Sequence, residues 1–131
     1  MIVVDTNVLA YLYLPGEHTQ RAEKLLASDP DWAAPVLWRS EFRNVLAGYL
    51  RRKTLNLEQA RTLQAEAESL MAGAEHEVDS AAVLKLVSES DCSAYDCEFA
   101  VLAQKLGTKL VTADAKLLKS FPKLTRLLAA D

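Results

Sequence analysis

The stretch MIVVDTNV (residues 1–8) places an apolar run directly before an acidic residue, with no turn residue between them. Residues 2–4 are all β-branched, which is typical of a buried strand. A second apolar run begins at Val8, so the strand is expected to lead straight into a helix. Two interpretations of this junction stay open. Asp5, or the threonine after it, caps the helix, or Asp5 is a functional carboxylate at a strand end.

The composition is that of an ordinary globular protein. The chain has 131 residues, half of them hydrophobic and a quarter charged, which predicts one domain over residues 1–131 with a substantial core. No apolar run approaches the roughly 20 residues that cross a bilayer. Asp5 interrupts the N-terminal apolar run, so no secretion signal is expected. We therefore expect a cytoplasmic protein without a membrane segment.

The charge balance is less simple than it first looks. The formal net charge of −3 by itself argues against a nucleic-acid partner. If four of the 18 acidic residues held a metal, however, 14 would remain against 15 basic residues. The bound ions would also make the site itself positive. Cys92 and Cys97 match neither a disulfide framework nor a zinc pattern.

Strand and helix signals alternate along the chain. Strands are predicted over residues 2–5, 31–35, 76–78 and 108–112. Helices are predicted over residues 7–14, 18–28, 35–53, 56–73, 79–89, 94–106 and 115–119, while residues 124–128 stay unassigned. Asn56, Asp79 and Ser93 provide N-caps, and Gly107 ends the sixth helix. The alternation predicts an α/β fold, a three-layer α/β/α sandwich around a central, mostly parallel sheet.

The opening pattern of strand, threonine and aspartate occurs a second time, in KLVTAD (residues 109–114). If the two strands are parallel neighbours, Asp5 and Asp114 lie at the same edge of the sheet, where ligands of such folds bind. One strand-end aspartate is usually a helix cap. Two of them on adjacent strands favour a ligand site.

A third acidic residue lies in LWRSEFRNVL (residues 37–46). A core-facing stripe of this helix is formed by Trp38, Phe42, Val45 and Tyr49. Glu41 lies at the margin of the stripe, and its neighbours three and four positions away are not basic, so no helical ion pair explains it. A solvated glutamate and a functional carboxylate are equally open interpretations.

The fourth acidic residue lies in CSAYDCEFAVLAQKLG (residues 92–107). Asp96 follows the cap Ser93 by three positions, where an acid also suits the helix dipole. Cys92 and Cys97 are placed to form a hydrophobic staple. The residues three and four positions after Asp96 are Phe99 and Ala100, so it too borders an apolar face without a basic partner.

Four such acids gathered at one end of a sheet require a cation, because like charges held close raise one another's pKa. Ligand sets made only of oxygen select Mg²⁺ or Mn²⁺. His18 and His76 are isolated from each other, and we expect them to be surface or loop residues.

In chain order, VVDTNV, the helical Glu41, SAYDCEFAVLA and LVTAD resemble the PIN-domain ribonucleases, especially the VapC-type toxins of bacterial toxin–antitoxin pairs. The resemblance spans the whole chain. It implies a metal-dependent endoribonuclease in which one or two Mg²⁺ or Mn²⁺ ions promote attack of water on an RNA phosphodiester. The acids that it assigns to the metal and to catalysis are Asp5, Glu41, Asp96 and Asp114.

The resemblance also implies supporting residues and partners. Thr6, Thr112 and Asn7 would orient carboxylates, water or phosphate, with local capping as the alternative, and Ser93 would support Asp96. Arg39 and Arg43 are candidate RNA contacts. The expected partners are RNA, an antitoxin protein and a second copy of the chain, for which the apolar residues of helices 7–14 and 18–28 offer a surface unless they are all core.

Three other classes of protein remain for comparison. The same acids occur in stand-alone PIN nucleases of RNA processing, and a PIN fold can also bind without catalysing. A receiver-like signalling domain would need an acidic pair after its first strand and a lysine after a late one. Here Asp5 stands alone and LVTAD ends in an acid, which argues against that class.

Overall fold

The computed structural model describes residues 1–129, so the expected domain over 1–131 includes two residues outside the described part. The strands are β1 (Ile2–Val4), β2 (Trp32–Pro35), β3 (Glu75–His76), β4 (Leu110–Thr112) and β5 (Thr125–Leu127). The helices are α1 (Thr6–Tyr13), α2 (Thr19–Ser28), α3 (Trp38–Arg51), α4 (Leu57–Leu70), α5 (Ser80–Ser88), α6 (Ala94–Leu106) and α7 (Ala115–Ser120). None of these helices is long and apolar enough to span a bilayer.

The five strands form one parallel sheet in the order β3-β2-β1-β4-β5. In the centre, Val3 lies opposite Ala33 on one side and Leu110 on the other. Helices α1 to α4 pack against one another, whereas α6 packs against α5 and against the three central strands. Right-handed crossovers place these two groups on opposite faces of the sheet. The predicted three-layer α/β/α sandwich is confirmed.

The strand order reverses at β1. From there the chain builds outward to β2 and β3, and then returns to place β4 on the other side of β1. Loops that leave neighbouring strands in opposite directions open a crevice at their carboxyl ends. Asp5 follows β1 directly, and Asp114 comes two residues after β4. The topology therefore brings the two strand-end aspartates to one crevice.

Burial on both faces explains the unbroken apolar sequence of the central strands. Residues 2–4 and 110–112 are all buried. Helix α3 is anchored by Trp38 and Phe42, both fully buried, whose rings meet edge to face with centroids 5.8 Å apart. Each ring contributes about 3 kcal/mol from removal of apolar surface from water. These rings fix the position of α3 and, with it, of Glu41 between them.

The predicted helix ends are confirmed where side-chain caps mark them. Asn56 and Gln59 form the reciprocal capping box, and Asp79 and Ser93 each accept a backbone N–H of the following helix. Gly107 ends α6 in the left-handed region at φ 65°, where a side chain would be strained.

Several boundaries differ from the prediction by a few residues, and three of the differences bear on the sheet and on α3. Pro35 belongs to β2, so α3 begins only at Trp38. The third strand lies at Glu75–His76 rather than over 76–78. The unassigned residues 124–128 include β5, an edge strand that pairs with β4 alone. Edge strands carry weaker apolar patterns because one side has no strand to pack against, and here only Thr125 of β5 is buried.

Candidate active site

A cavity of about 590 Å³ opens at the carboxyl ends of β1 and β4. All four predicted acids line it: Asp5, Glu41, Asp96 and Asp114. They come from two strand ends and from the first turns of α3 and α6. The sheet and the two helices therefore bring together carboxylates that lie far apart in the sequence.

Asp5 is the most buried of the four, with 7% of its surface exposed. One carboxylate oxygen, Oδ1, accepts the backbone N–H of Val8 at 3.0 Å and so caps α1, while Oδ2 accepts a hydrogen bond from the Thr112 hydroxyl. Burial, with smaller contributions from the charges of Asp114 and Glu41, raises the pKa of Asp5 to about 6, although these two bonds lower it. The capping interpretation is therefore true, and it leaves Asp5 available to the cavity.

Asp114 is also a helix cap. Its Oδ1 accepts the backbone N–H groups of Lys116 at 2.8 Å and Leu117 at 3.4 Å, at the start of α7. The fully buried Thr112 links the two aspartates, since its Oγ1 donates to Asp5 and accepts the backbone N–H of Asp114 at 3.0 Å. One threonine thus fixes the distance between the ends of β1 and β4.

Glu41 is held by a second threonine. Thr6 donates its hydroxyl to Glu41 Oε1 at 2.7 Å across 35 residues of sequence. Partial burial raises the pKa of Glu41, the Thr6 bond lowers it, and the charge of Asp96 raises it. Asp96 belongs to the first turn of α6, where its backbone N–H donates to Ser93 Oγ at 3.0 Å. The carboxylates are thus electrostatically coupled through the cavity.

Within residues 1–129, no lysine or arginine forms an ion pair with any of the four acids. The negative field extends to Glu98, whose pKa is raised by burial and by the charge of Glu41. Such a field attracts cations, and an oxygen-only donor set suits Mg²⁺ or Mn²⁺.

The donor set fits such an ion in chemistry, although its members are not clustered. In the described part of the chain, no three His, Cys, Asp or Glu side chains are grouped closely enough to ligate one ion directly. Mg²⁺ keeps several of its waters in proteins, so carboxylates around a cavity of this width can hold it partly through water. The residues available for that are the four acids.

The other predicted site residues divide into two groups. Thr6 and Thr112 form the predicted bonds to carboxylates, and Asn7 is exposed on α1 and lines the cavity. Ser93 caps α6 and lies outside the cavity lining.

The two arginines proposed as RNA contacts also lie outside the cavity lining. Arg39 binds Glu75 through two nitrogens, each at 2.6 Å, and Glu68 at 3.0 Å. These bonds direct its guanidinium toward α4 and β3, so Arg39 is not free to meet a phosphate at the cavity. Arg43 is exposed and donates to Ser40 at 3.1 Å.

Three polar residues of the cavity lining were not predicted as site residues from the sequence: Ser40, Asn44 and Tyr95. Ser40 and Asn44 lie one position before and three positions after Glu41, and Tyr95 directly precedes Asp96. Their positions beside the acids were the available signal. Side chains at these positions extend the polar wall of the cavity beyond the carboxylates.

The fold and this cavity define the class of the protein: the chain belongs to the PIN domain family, whose model matches residues 2–124. Over 128 residues it is 32% identical to Ribonuclease VapC3 of Pyrobaculum aerophilum, with 94% of this chain and 96% of that protein covered. The resemblance drawn from the four motifs is confirmed.

Solved structures agree on the fold. The crystal structure of FitAcB from Neisseria gonorrhoeae superposes with a TM-score of 0.75 at 21% identity, covering 95% of this chain and 96% of that one. A toxin-antitoxin complex from Klebsiella pneumoniae contains a chain that matches with a TM-score of 0.70 at 14% identity, with both chains covered fully. At these identities the likeness concerns the architecture.

Proposed function

We propose that this protein is a metal-dependent endoribonuclease, the toxin of a toxin–antitoxin pair, formed by one PIN domain over residues 1–131. The observation that carries the proposal is a set of four carboxylates that line one cavity at the point where the strand order reverses and that have no basic partner in the described part of the chain. Unpaired, partly buried acids destabilise a fold unless a function retains them. Their number and type argue for catalysis over binding alone.

Asp5, Glu41, Asp96 and Asp114 would hold Mg²⁺ or Mn²⁺. When bound, the ion supplies activation of water and neutralisation of charge on the leaving oxygen. The chain contributes rigidity to this chemistry. Thr112 and the backbone N–H of Val8 orient Asp5, and Thr6 orients Glu41, so that these carboxylates meet the substrate without reorganisation.

The proposed substrate is RNA in a single-stranded or looped form. A cavity of about 590 Å³ that is open to solvent admits a single unpaired strand more readily than it admits a duplex. Asn7 and Asn44 offer amide groups to the phosphates or base edges on its wall. Arg43, which lies outside the cavity lining and donates to the cavity residue Ser40, is the remaining basic candidate.

The toxin role and the partners rest on the relatives. VapC3 is named a ribonuclease, and a matching solved structure is a toxin-antitoxin complex. On this basis we propose an antitoxin partner, and the expectations from the sequence add a homodimer and a cytoplasmic location to the proposal. The half-buried Leu12 on α1 and Leu25 on α2 are candidates for the surface between two copies.

RNA cleavage by the purified protein tests the activity. We expect cleavage of unstructured RNA with Mg²⁺ or Mn²⁺, none after chelation with EDTA, and none with Asp96→Asn. The matched control is Asp91→Asn, because Asp91 is an exposed acid outside the cavity. Cleavage that persists in EDTA, or in Asp96→Asn at the rate of Asp91→Asn, contradicts the mechanism.

Expression in a bacterial host tests the toxin role separately. We expect the wild type to arrest growth, Asp96→Asn to permit it, and co-expression of the adjacent gene's product to relieve the arrest. An active nuclease whose expression leaves growth unchanged would instead be a stand-alone RNA-processing enzyme.

A further inference from the structure

A second, smaller cavity of about 280 Å³ adjoins the acid cavity. It lies between α1, the loop before α2, and the middle of α3. Asn7 and Val45 line both cavities, so the two share a wall. The volume is close to the ~300 Å³ at which small-molecule pockets begin. This size suits one planar group rather than a folded partner surface.

Three aromatic or heteroaromatic rings line this second cavity: Tyr11, His18 and Tyr49. The rings of Tyr11 and His18 are in contact, with centroids 4.6 Å apart and planes inclined by 36°. Aromatic rings grouped beside a nuclease cleft are platforms for unpaired bases, since every base offers a π-face.

Charged neighbours hold two of the rings. The Arg52 guanidinium lies over the Tyr49 ring, 4.8 Å from its centroid, without itself lining the cavity. Two nitrogens of His18 are engaged, Nδ1 by Arg21 at 3.3 Å and Nε2 by Glu17 at 3.3 Å, which hold the ring in place. A preoriented ring loses less entropy when a base stacks on it.

Tyr11 connects the rings to the acids. Burial raises the pKa of its hydroxyl, and the charges of Asp5, Glu17 and Asp114 raise it further. The hydroxyl therefore stays protonated as a hydrogen-bond donor and adds no charge against phosphate. Asn7, on the shared wall, forms no side-chain hydrogen bond among residues 1–129 and is free to meet a base edge or a phosphate.

We propose that the cavity formed by Tyr11, His18 and Tyr49 is a base-binding subsite, which receives one unpaired base of the RNA strand whose backbone lies in the acid cavity. The inference rests on the proposed ribonuclease function and deepens it, because it names residues that select the position of cleavage. A side chain of a partner protein is the other candidate occupant of this cavity. The size, the grouped rings and the continuity with the acid cavity favour the base.

Binding of abasic RNA tests the subsite without requiring cleavage. Labelled single-stranded oligoribonucleotides, each lacking the base at one position, are titrated by fluorescence anisotropy against a non-cleaving Asp5→Asn background. We expect one position at which loss of the base weakens binding by roughly 5- to 100-fold. Adding Tyr11→Leu or His18→Ala should remove that position's effect and leave the other positions unchanged, as a double-mutant cycle requires.

The matched controls are Tyr13→Leu and His76→Ala. Tyr13 is on the same helix as Tyr11 with similar partial burial, and His76 is partly buried like His18, yet neither lines the second cavity. In both controls, the loss of RNA affinity caused by each missing base should be the same as in the Asp5→Asn background. If Tyr11→Leu and His18→Ala keep the background profile while the RNA still binds, the subsite is excluded and the ribonuclease proposal stands.

Two further outcomes are decisive. If the background protein binds no RNA and the wild type cleaves none, both the subsite and the proposed function fail. If Tyr11→Leu leaves the RNA profile intact but weakens binding of the co-expressed partner protein at least tenfold relative to Tyr13→Leu, the cavity receives a protein side chain and the base-binding proposal is overturned.

Discussion

Two regions on either side of α3 treat the same kind of side chain in opposite ways. In the acid cavity, Glu41 has a threonine hydroxyl as partner, and its pKa is raised by burial. On the other side, Glu75 of β3 binds Arg39 through both carboxylate oxygens at 2.6 Å and accepts the Trp38 indole N–H at 2.9 Å. The bonds from Arg39 lower the pKa of Glu75.

The difference between the two glutamates indicates that the Arg39 side of α3 supports the stability of the fold and that the cavity side supports function. The Arg39 cluster, formed by Arg39, Glu75, Glu68 and Trp38, joins β3, α3 and α4 and gives both of its carboxylates a cationic partner. The acid cavity leaves its charges unsatisfied. Removing one member of a paired set of charges destabilises a fold, whereas acids left without a cation are typical of a ligand-binding or catalytic site. Arg39 and Glu41 are two positions apart, so one turn of helix serves both purposes.

The largest expected effect comes from exchanging the two glutamates for glutamine. Glu41→Gln should lower RNA cleavage by roughly 1,000-fold, because a metal ligand contributes several kcal/mol to the transition state, while the melting temperature stays equal or rises. Glu75→Gln should do the reverse, with retained cleavage and a melting temperature lower by roughly 5 °C. Cleavage rates and melting temperatures are measured for both variants. An equal loss of activity in the two would contradict the separation of a catalytic glutamate from a structural one.

The second prediction concerns pH. The folded-state pKa of Asp5 is about 6, raised from 3.8 chiefly by burial. Below pH 4 the carboxyl is protonated in both states and its contribution to stability is fully present. That contribution, on the order of 3 kcal/mol, is lost as the pH rises to and through 6. The contribution of Glu75 to stability has the opposite pH dependence, because the pKa of Glu75 is lowered. That contribution is present above pH 4.5 and is lost on acidification.

Urea unfolding in EDTA from pH 4 to 7 checks this slope. In Asp5→Asn the decrease in the free energy of unfolding between pH 4 and 6 should disappear, because asparagine also caps α1 but does not titrate. In Glu75→Gln the same decrease in the free energy of unfolding should remain. A wild type whose stability is flat over this interval contradicts the assigned burial cost.

The third prediction concerns the ion. Mg²⁺ or Mn²⁺ at 100 times its dissociation constant should stabilise the wild type by about 2.7 kcal/mol. Glu75→Gln should gain the same increment, and Asp96→Asn should gain little. Thermal unfolding against metal concentration measures this, and an identical gain in Asp96→Asn would mean that the ion binds elsewhere.

The smallest expected effect is that of Thr112→Val. The hydroxyl of Thr112 lowers the pKa of Asp5, so its removal raises that pKa and moves the acid limb of the pH–rate profile upward by up to about one pH unit. Thr125→Val is the control, because Thr125 is also buried but bonds the Phe121 carbonyl. A shift of equal size in both variants would indicate general loosening instead.

Local signals account for what the sequence could predict. The β-branched run before Asp5, the capping box at Asn56 and the cap at Ser93 each act within a few residues, and the structure retains all three. The rule that parallel strands carry sites at their carboxyl ends then brought Asp5 and Asp114 together without knowledge of any contact.

Long-range partners could not be predicted in the same way. The basic side chain of Arg39 suggested a phosphate contact, but Glu75, 36 residues away, already binds it. The grouping of Tyr11 with His18 depends on how the Pro15-Gly16 loop turns back on α1, and no periodic pattern encodes that turn. Such pairings follow from the assembled layers.

The hydrogen bond between Thr112 and Asp5 has a consequence for the order in which the site forms during synthesis. Its partners are 107 residues apart, and β1 needs β4 as its second neighbour. A ribosome synthesises β1 well before β4, so the growing chain contains Asp5 long before Thr112 and Asp114 are added. The acid cavity is therefore completed only after β4 has been made, and a chain that stops short of β4 has the first strand of the sheet without the full set of acids.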